Sequence, residues 1–92
     1  MDRIYVDDKV PLRHPGISKE DAAMAWMRCI RSRPRLDKNP NEYLAIGPDG
    51  KGRLLEIVAL RDKDGDWLIY HAKTPPTENA KRELQMHRKK TS

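Results

Sequence analysis

At 92 residues the chain is long enough for one modest hydrophobic core and too short for two, so residues 1–92 are expected to form a single domain. Charged residues make up 36% and hydrophobic ones 37%, with no Phe, which confines the apolar material to a few segments. The lone cysteine, Cys29, excludes an intrachain disulfide, and no apolar run approaches membrane-spanning length.

The start, MDRIYVDDK, lacks the apolar stretch of a signal peptide, so a soluble cytoplasmic protein with no membrane contact is expected. The net charge of +5 is uneven: residues 81–92 hold five Lys/Arg against one Glu, and the rest hold fourteen basic against thirteen acidic side chains. Arg28, Arg31, Arg33 and Arg35 form a second basic cluster with no acid inside it. Such clustering favours a polyanionic or acidic partner over a merely solubilising tail.

Ile4-Tyr5-Val6 reads as a short edge strand, ended by Asp7, Asp8 and Pro11. Arg13 to Ser18 (RHPGIS) is a loop punctuated by Pro15-Gly16. Ser18 has the character of an N-cap, with Glu20 and Asp21 facing the positive end of the helix that follows. That helix is expected to run to about Arg31, with Ala23, Trp26, Met27 and Ile30 forming one apolar stripe at i, i+3, i+4 and i+7. Pro34 ends it, and PRLDKNPNE is expected to be loop, with Arg35-Leu36 briefly extended.

Tyr43 to Ile46 is the next strand, and Gly47 to Gly52 (GPDGKG) is a hairpin loop. A phosphate-cradling loop would be followed by Lys-Ser/Thr and a helix, and neither is present. Residues 53–60 (RLLEIVAL) and 67–73 (WLIYHAK) then flank an Asp-Gly turn, a strong hairpin signal. Pro75 and Pro76 close the sheet. Thr77 caps a basic helix from Glu78 to about Arg88, whose apolar contacts are Ala80, Leu84 and Met86, and residues 89–92 are expected to fray.

With Asp64 and Gly65 as the central turn residues, the register pairs Leu60 with Ile69, Val58 with His71 and Glu56 with Lys73. Leu54, Glu56, Val58, Leu60, Ile69, His71 and Lys73 then share one face, and Leu55, Ile57, Ala59, Leu68, Tyr70 and Ala72 form the core face. A three-residue loop would shift this register by one. The expected fold class is α+β: an antiparallel sheet of three to four strands, a helix before it and a basic helix after it, both helices on one face.

The three histidines and one cysteine show no zinc-ligand spacing, so neither a metal nor another cofactor is expected. No Gly-x-Ser-x-Gly occurs, and Cys29, inside an amphipathic helix, reads as a buried small hydrophobe rather than a nucleophile. The remaining chemistry is RNA cleavage without metal. A base must take the 2′-hydroxyl proton, a cation must stabilise the phosphorane, and an acid must protonate the leaving 5′-oxygen. Glu56, His71 and Lys73 are gathered on one sheet face, Arg53 stands at its edge, and the loop before the first helix can bring Arg13 and His14 over it. Taken singly, each has a structural explanation: Glu56 opposite Lys73 as a cross-strand ion pair, His71 as a half-buried histidine.

The runs His14-Pro15-Gly16-Ile17-Ser18, Ala45-Ile46-Gly47, Gly52-Arg53-Leu54-Leu55-Glu56 and His71-Ala72-Lys73, spread over residues 5–84, resemble the BrnT-like toxins of type II toxin–antitoxin systems, within the RelE-like group of ribonucleases. Two departures stand out: Pro15 lies between His14 and Gly16, and Lys73 stands where many members carry Arg. The resemblance implies a compact α+β toxin that cleaves messenger RNA and is silenced by a cognate antitoxin, as a homodimer or a toxin–antitoxin hetero-oligomer. It implies His71 and Glu56 as the acid–base pair and Arg13, His14, Arg53 and Lys73 as phosphate-holding groups. Arg28, Arg31, Lys81 and Arg82 are further RNA contacts expected from the basic clusters. The alternative is a non-enzymatic module of the same fold that binds an acidic protein or nucleic acid.

Overall fold

The computed structural model describes residues 3–35 and 39–85. Strand β1 (Ile4–Val6) leads through α1 (Lys9–Arg13) and α2 (Lys19–Met27) to β2 (Arg31–Arg35), β3 (Asn39–Pro48), β4 (Leu54–Arg61), β5 (Trp67–Lys73) and α3 (Glu78–Glu83). The strands form one five-stranded sheet in the order β1-β5-β4-β3-β2, in which β1 runs parallel to β5 and the other pairs are antiparallel. The α+β class and the meander of residues 43–73 agree with the sequence reading. The strand count and the purely antiparallel pairing do not. Leu36, Met86 and residues 89–92 lie outside the described residues.

The unexpected strand is β2. Arg31, Arg33 and Arg35 alternate with Ser32 and Pro34, and Arg31, Ser32, Arg33 and Pro34 pair with Ile46, Ala45, Leu44 and Tyr43. Pro34 lacks a backbone donor, and an edge strand is where a sheet tolerates it. Pairing with β3 therefore stops α2 at Met27, one turn before the expected end near Arg31.

The N-terminus of α2 is a full capping box. The Ser18 hydroxyl accepts from the Asp21 N–H at 3.0 Å, and the Asp21 carboxylate accepts from the Ser18 N–H at 3.0 Å. The buried side of the helix is Ala22, Ala25, Trp26 and Cys29, one position ahead of the expected stripe. Met27 and Ile30, assigned to that stripe, are 62% and 58% exposed. One residue rotates a helix by about 100°, and the small residues decide the rotation because α2 lies directly on β3. A Cβ added to Gly47 would sit 2.1 Å from the Ala25 carbonyl oxygen and 2.7 Å from Cys29 Cα. Only glycine permits that approach.

The β4–β5 hairpin closes through a three-residue loop. The Asp62 N–H donates to the Asp66 carbonyl, and the Asp62 carboxylate accepts from the N–H groups of Asp64 and Asp66. Gly65, at φ +83°, supplies the left-handed residue. Near the turn the register is thus shifted by one: Leu60 faces Leu68 and Ala59 faces Ile69. A bulge between Val58 and Ala59 restores Val58–His71 and Glu56–Lys73, with Tyr70 as the extra residue on β5. Two assignments are corrected by it. Ile69 joins the core with Leu55, Ile57 and Ala59, and Tyr70 turns to the opposite face with Leu44, Ile46 and Val58. Leu68, expected in the core, is 37% exposed.

Both faces of the sheet are covered. One carries α2 over Leu55, Ile57, Ala59, Ile69 and Ala72, and the other carries α3, whose Ala80 and Leu84 pack on Leu44, Ile46 and Val58. The helices are therefore not segregated to one face. Leu55 to Ala59 are buried without interruption, as a strand covered on both sides should be. Burial of each large member contributes about 1.5–3 kcal/mol. Glu56 is the polar exception in that run, and it looks toward α3.

Candidate functional site

Between α3 and its sheet face lies a cleft of about 320 Å³, lined among others by Arg13, Glu56, Tyr70, His71, Asn79 and Glu83. A second cleft of about 290 Å³, lined by Arg13, His14, Gly16, Arg53 and Thr74, has Arg13 in common with it. Each position follows from local structure. The β4 alternation points Glu56 to the α3 side, the β5 bulge turns both Tyr70 and His71 there, and α1 with its following loop carries Arg13 and His14 to the edge.

Glu56 and His71 form a dyad. The Glu56 Oε2 lies 2.8 Å from His71 Nε2, and its Oε1 accepts the Thr77 N–H at 2.8 Å. The carboxylate is 10% exposed and the imidazole 32%. Burial pushes the Glu56 carboxyl up, but the hydrogen bond from His71 and those from the Thr77 backbone and side chain outweigh it and hold the group at about 2. An ionised carboxylate can only accept, so in a neutral imidazole Nε2 carries the proton and Nδ1 is left as the acceptor. His14 stands edge-on to His71, ring centroids 6.3 Å apart.

The sequence-expected residues divide clearly. Glu56, His71, His14 and Arg13 converge. Lys73 is opposite Glu56 in register, yet Glu56 turns to His71, so the cross-strand Glu–Lys ion pair considered from sequence does not form. Arg53 borders the second cleft with most of its guanidinium occupied: Nε donates to Asp49 at 2.7 Å, Nη1 to the Gly16 carbonyl at 2.9 Å and Nη2 to Asp21 at 3.2 Å. It ties the β3–β4 loop to the start of α2, and two of its five donors remain.

Arg31 donates to the Leu84 carbonyl at 3.3 Å, Lys81 stands 3.6 Å from Glu78, and Arg82 is exposed on α3. Arg28 caps α2 on the other side of the sheet, away from the cleft. Comparison with protein-family models, curated proteins and solved structures finds no match.

A group the sequence did not bring forward completes the cleft. Arg35 holds Glu83 through both carboxylate oxygens, at 2.8 and 3.1 Å, and Glu42 at 3.0 Å. The Tyr70 hydroxyl donates to the other Glu42 oxygen at 2.7 Å. Burial and the Glu42 carboxylate push the Tyr70 phenol up to about 12, so near neutrality it is a hydrogen-bond donor and not a base. The signal available was the Arg31-Arg33-Arg35 alternation, which places all three on the α3 face once it is read as a strand. Among the described residues no three His, Cys, Asp or Glu side chains gather as a metal-binding group, and no helix is long and apolar enough to cross a membrane.

Proposed function

We propose that this chain is a metal-independent endoribonuclease that acts as the toxin of a type II toxin–antitoxin pair, with RNA as substrate and a cognate antitoxin as partner. The observation that supports it is the Glu56–His71 pair, 2.8 Å apart, opening into a cleft bordered by Arg13, with the His14 ring 6.3 Å from that of His71. The sequence resemblance to BrnT-like proteins supports the same reading.

The chemistry follows from the roles these groups can take. His71 Nδ1 accepts the 2′-hydroxyl proton as that oxygen attacks the adjacent phosphorus. Glu56 is a positioning residue: it holds the imidazole tautomer and offsets the positive charge that develops on the ring. Arg13 lies against the non-bridging oxygens, where its guanidinium stabilises the phosphorane. His14 donates a proton to the departing 5′-oxygen, leaving a 2′,3′-cyclic phosphate and a 5′-hydroxyl. Lys73 and the remaining donors of Arg53 add attraction for the backbone beyond the reacting phosphate. Arg31, Lys81 and Arg82 lie along the α3 side, where a longer strand would run.

The test is induced expression with transcript integrity as readout, followed by the purified protein on RNA in excess chelator. Wild type should arrest growth and cut RNA, and His71→Ala should lose cleavage by about 10²-fold or more while remaining folded. Intact RNA with wild-type protein sinks the reading. Salt-sensitive RNA binding that survives His71→Ala without cleavage would favour the interaction module instead.

A further inference from the structure

The sheet ends on β2, so the outer edge of that strand has no partner strand. The Ile30 N–H donates inward to the Ile46 carbonyl at 2.7 Å. Backbone groups alternate sides along a strand, which turns the N–H and C=O groups of Arg31 and Arg33 outward to the free edge. Their side chains share the α3 face, and both residues are exposed. Each guanidinium spends one donor on the end of α3, Arg31 on the Leu84 carbonyl and Arg33 on the Glu83 carbonyl, both at 3.3 Å. Four donors remain on each. Among the described residues neither forms an ion pair, whereas Arg35 on the same strand is taken up by Glu83 and Glu42. An open cleft of about 490 Å³ runs beside the two arginines, bordered by Ile30, which is 58% exposed.

An edge with outward N–H and C=O groups in alternation asks for a ligand that both donates and accepts. A peptide does so; an RNA backbone offers the carbonyls few donors. The two cations then select among peptides. A second copy of β2 would set arginine against arginine, and like charges directly opposite are destabilising. Charged edge strands reject indiscriminate pairing in the same way. We propose that the free edge of β2 docks an acidic, extended segment of a partner protein as an added antiparallel strand, with carboxylates at alternate positions opposite Arg31 and Arg33. Two outward residues exchange four backbone hydrogen bonds with such a strand, and alternate side chains of the added strand fall on the face that carries both guanidinium groups. The inference rests on the toxin reading only for the identity of that partner, the antitoxin. A strand seated there also covers Arg31, so partner and a longer RNA compete for it.

The experiment titrates a capped peptide, Thr-Val-Glu-Val-Glu-Val-Thr, into the full chain, reading amide shifts and hydrogen exchange at Arg31 and Arg33. Both amides should become protected. N-methylation of the two Glu amides keeps the charge and removes backbone donors, and it should weaken binding about tenfold or more. Replacing both Glu by Gln should weaken it about fivefold, and replacing both by Lys should abolish it. Arg33→Gln should reproduce the Glu-to-Gln loss; because Arg33 also holds α3, the peptide-side changes carry the test without touching the fold. No binding, equal binding of the N-methylated or Lys peptide, or protection at other strands overturns the proposal. A single-stranded RNA that binds this edge more tightly than the peptide overturns it in favour of a nucleic-acid surface. Protection by the peptide in a protein that cuts no RNA supports the docking edge and overturns the nuclease. RNA cleavage by a protein that ignores the peptide overturns the docking edge alone.

Discussion

The Glu56–His71 pair makes a prediction that does not depend on finding a substrate. A carboxyl whose ordinary value is 4.5 is held at about 2 in the folded chain by His71 and Thr77, against the opposing effect of burial. A depressed carboxyl adds stability that is present above its unfolded value and lost as pH falls through its folded value. The window is therefore between about pH 5 and pH 2. The full shift corresponds to roughly 3 kcal/mol. The His71 side of the pair is partly open to solvent, and screening reduces this to about 2 kcal/mol. Glu56→Gln keeps the shape, retains an acceptor and removes the titration. Urea denaturation of both proteins at intervals from pH 7 to pH 2 isolates the contribution, because the other carboxylates cancel in the difference. Wild type should be the more stable at pH 7, and the gap should close by about 2 kcal/mol on acidification. A gap constant across the window would mean that the carboxylate is not specifically held, and the positioning role given to Glu56 would go with it.

Three further outcomes follow from the packing. Gly47→Ala should cost about 1–3 kcal/mol in urea denaturation, because α2 must lift from β3 to clear a Cβ 2.1 Å from Ala25 O, and a cost below about 0.5 kcal/mol refutes that contact. Arg53→Met should be more damaging, about 3–5 kcal/mol, since it strands the fully buried Asp49 carboxylate and loosens Asp21 in the capping box; a near-neutral result would show that Asp49 is satisfied by backbone alone. Tyr70, pushed up to about 12, should appear in an alkaline ultraviolet titration as a tyrosine ionising late and be lost in Tyr70→Phe, and a raised phenol stabilises the fold below its ordinary value near 10 and ceases to as pH rises through 12.

Much of the fold was legible because it is written in local signals. Ser18 caps α2 as expected, with Asp21 in the first turn closing a capping box, Thr77 caps α3, and residues 47–52 and the Asp-Gly turn form hairpin loops. What escaped the sequence depended on neighbours distant in the chain. The rotation of α2 by one residue is set by Gly47, some twenty positions downstream. β2 carries no apolar period, and its strand character comes from pairing with β3 and from Arg31 and Arg33 donating to the carbonyls of Leu84 and Glu83 at the end of α3. A charged strand of that kind is stabilised by its partners rather than by its own burial.

The hairpin shows why the site was more legible than its surroundings. Counting from a two-residue turn places Glu56 with Lys73 and Val58 with His71, and both pairs exist, although the loop has three residues. The turn displaces the register by one, and the bulge at Tyr70 displaces it back before His71. The bulge also brings Tyr70 and His71 to the same face, which simple alternation forbids. Bulges recur where a sheet must re-aim a side chain, and here the residue next to the extra position is the imidazole of the dyad. Removing the bulge would leave either the core residue Ile69 or His71 on the wrong side. The one irregularity of β5 thus lets the same strand serve an apolar core on the α2 face and an ionic cleft on the α3 face. That division of labour explains the polar residues within strands otherwise apolar enough to be buried throughout.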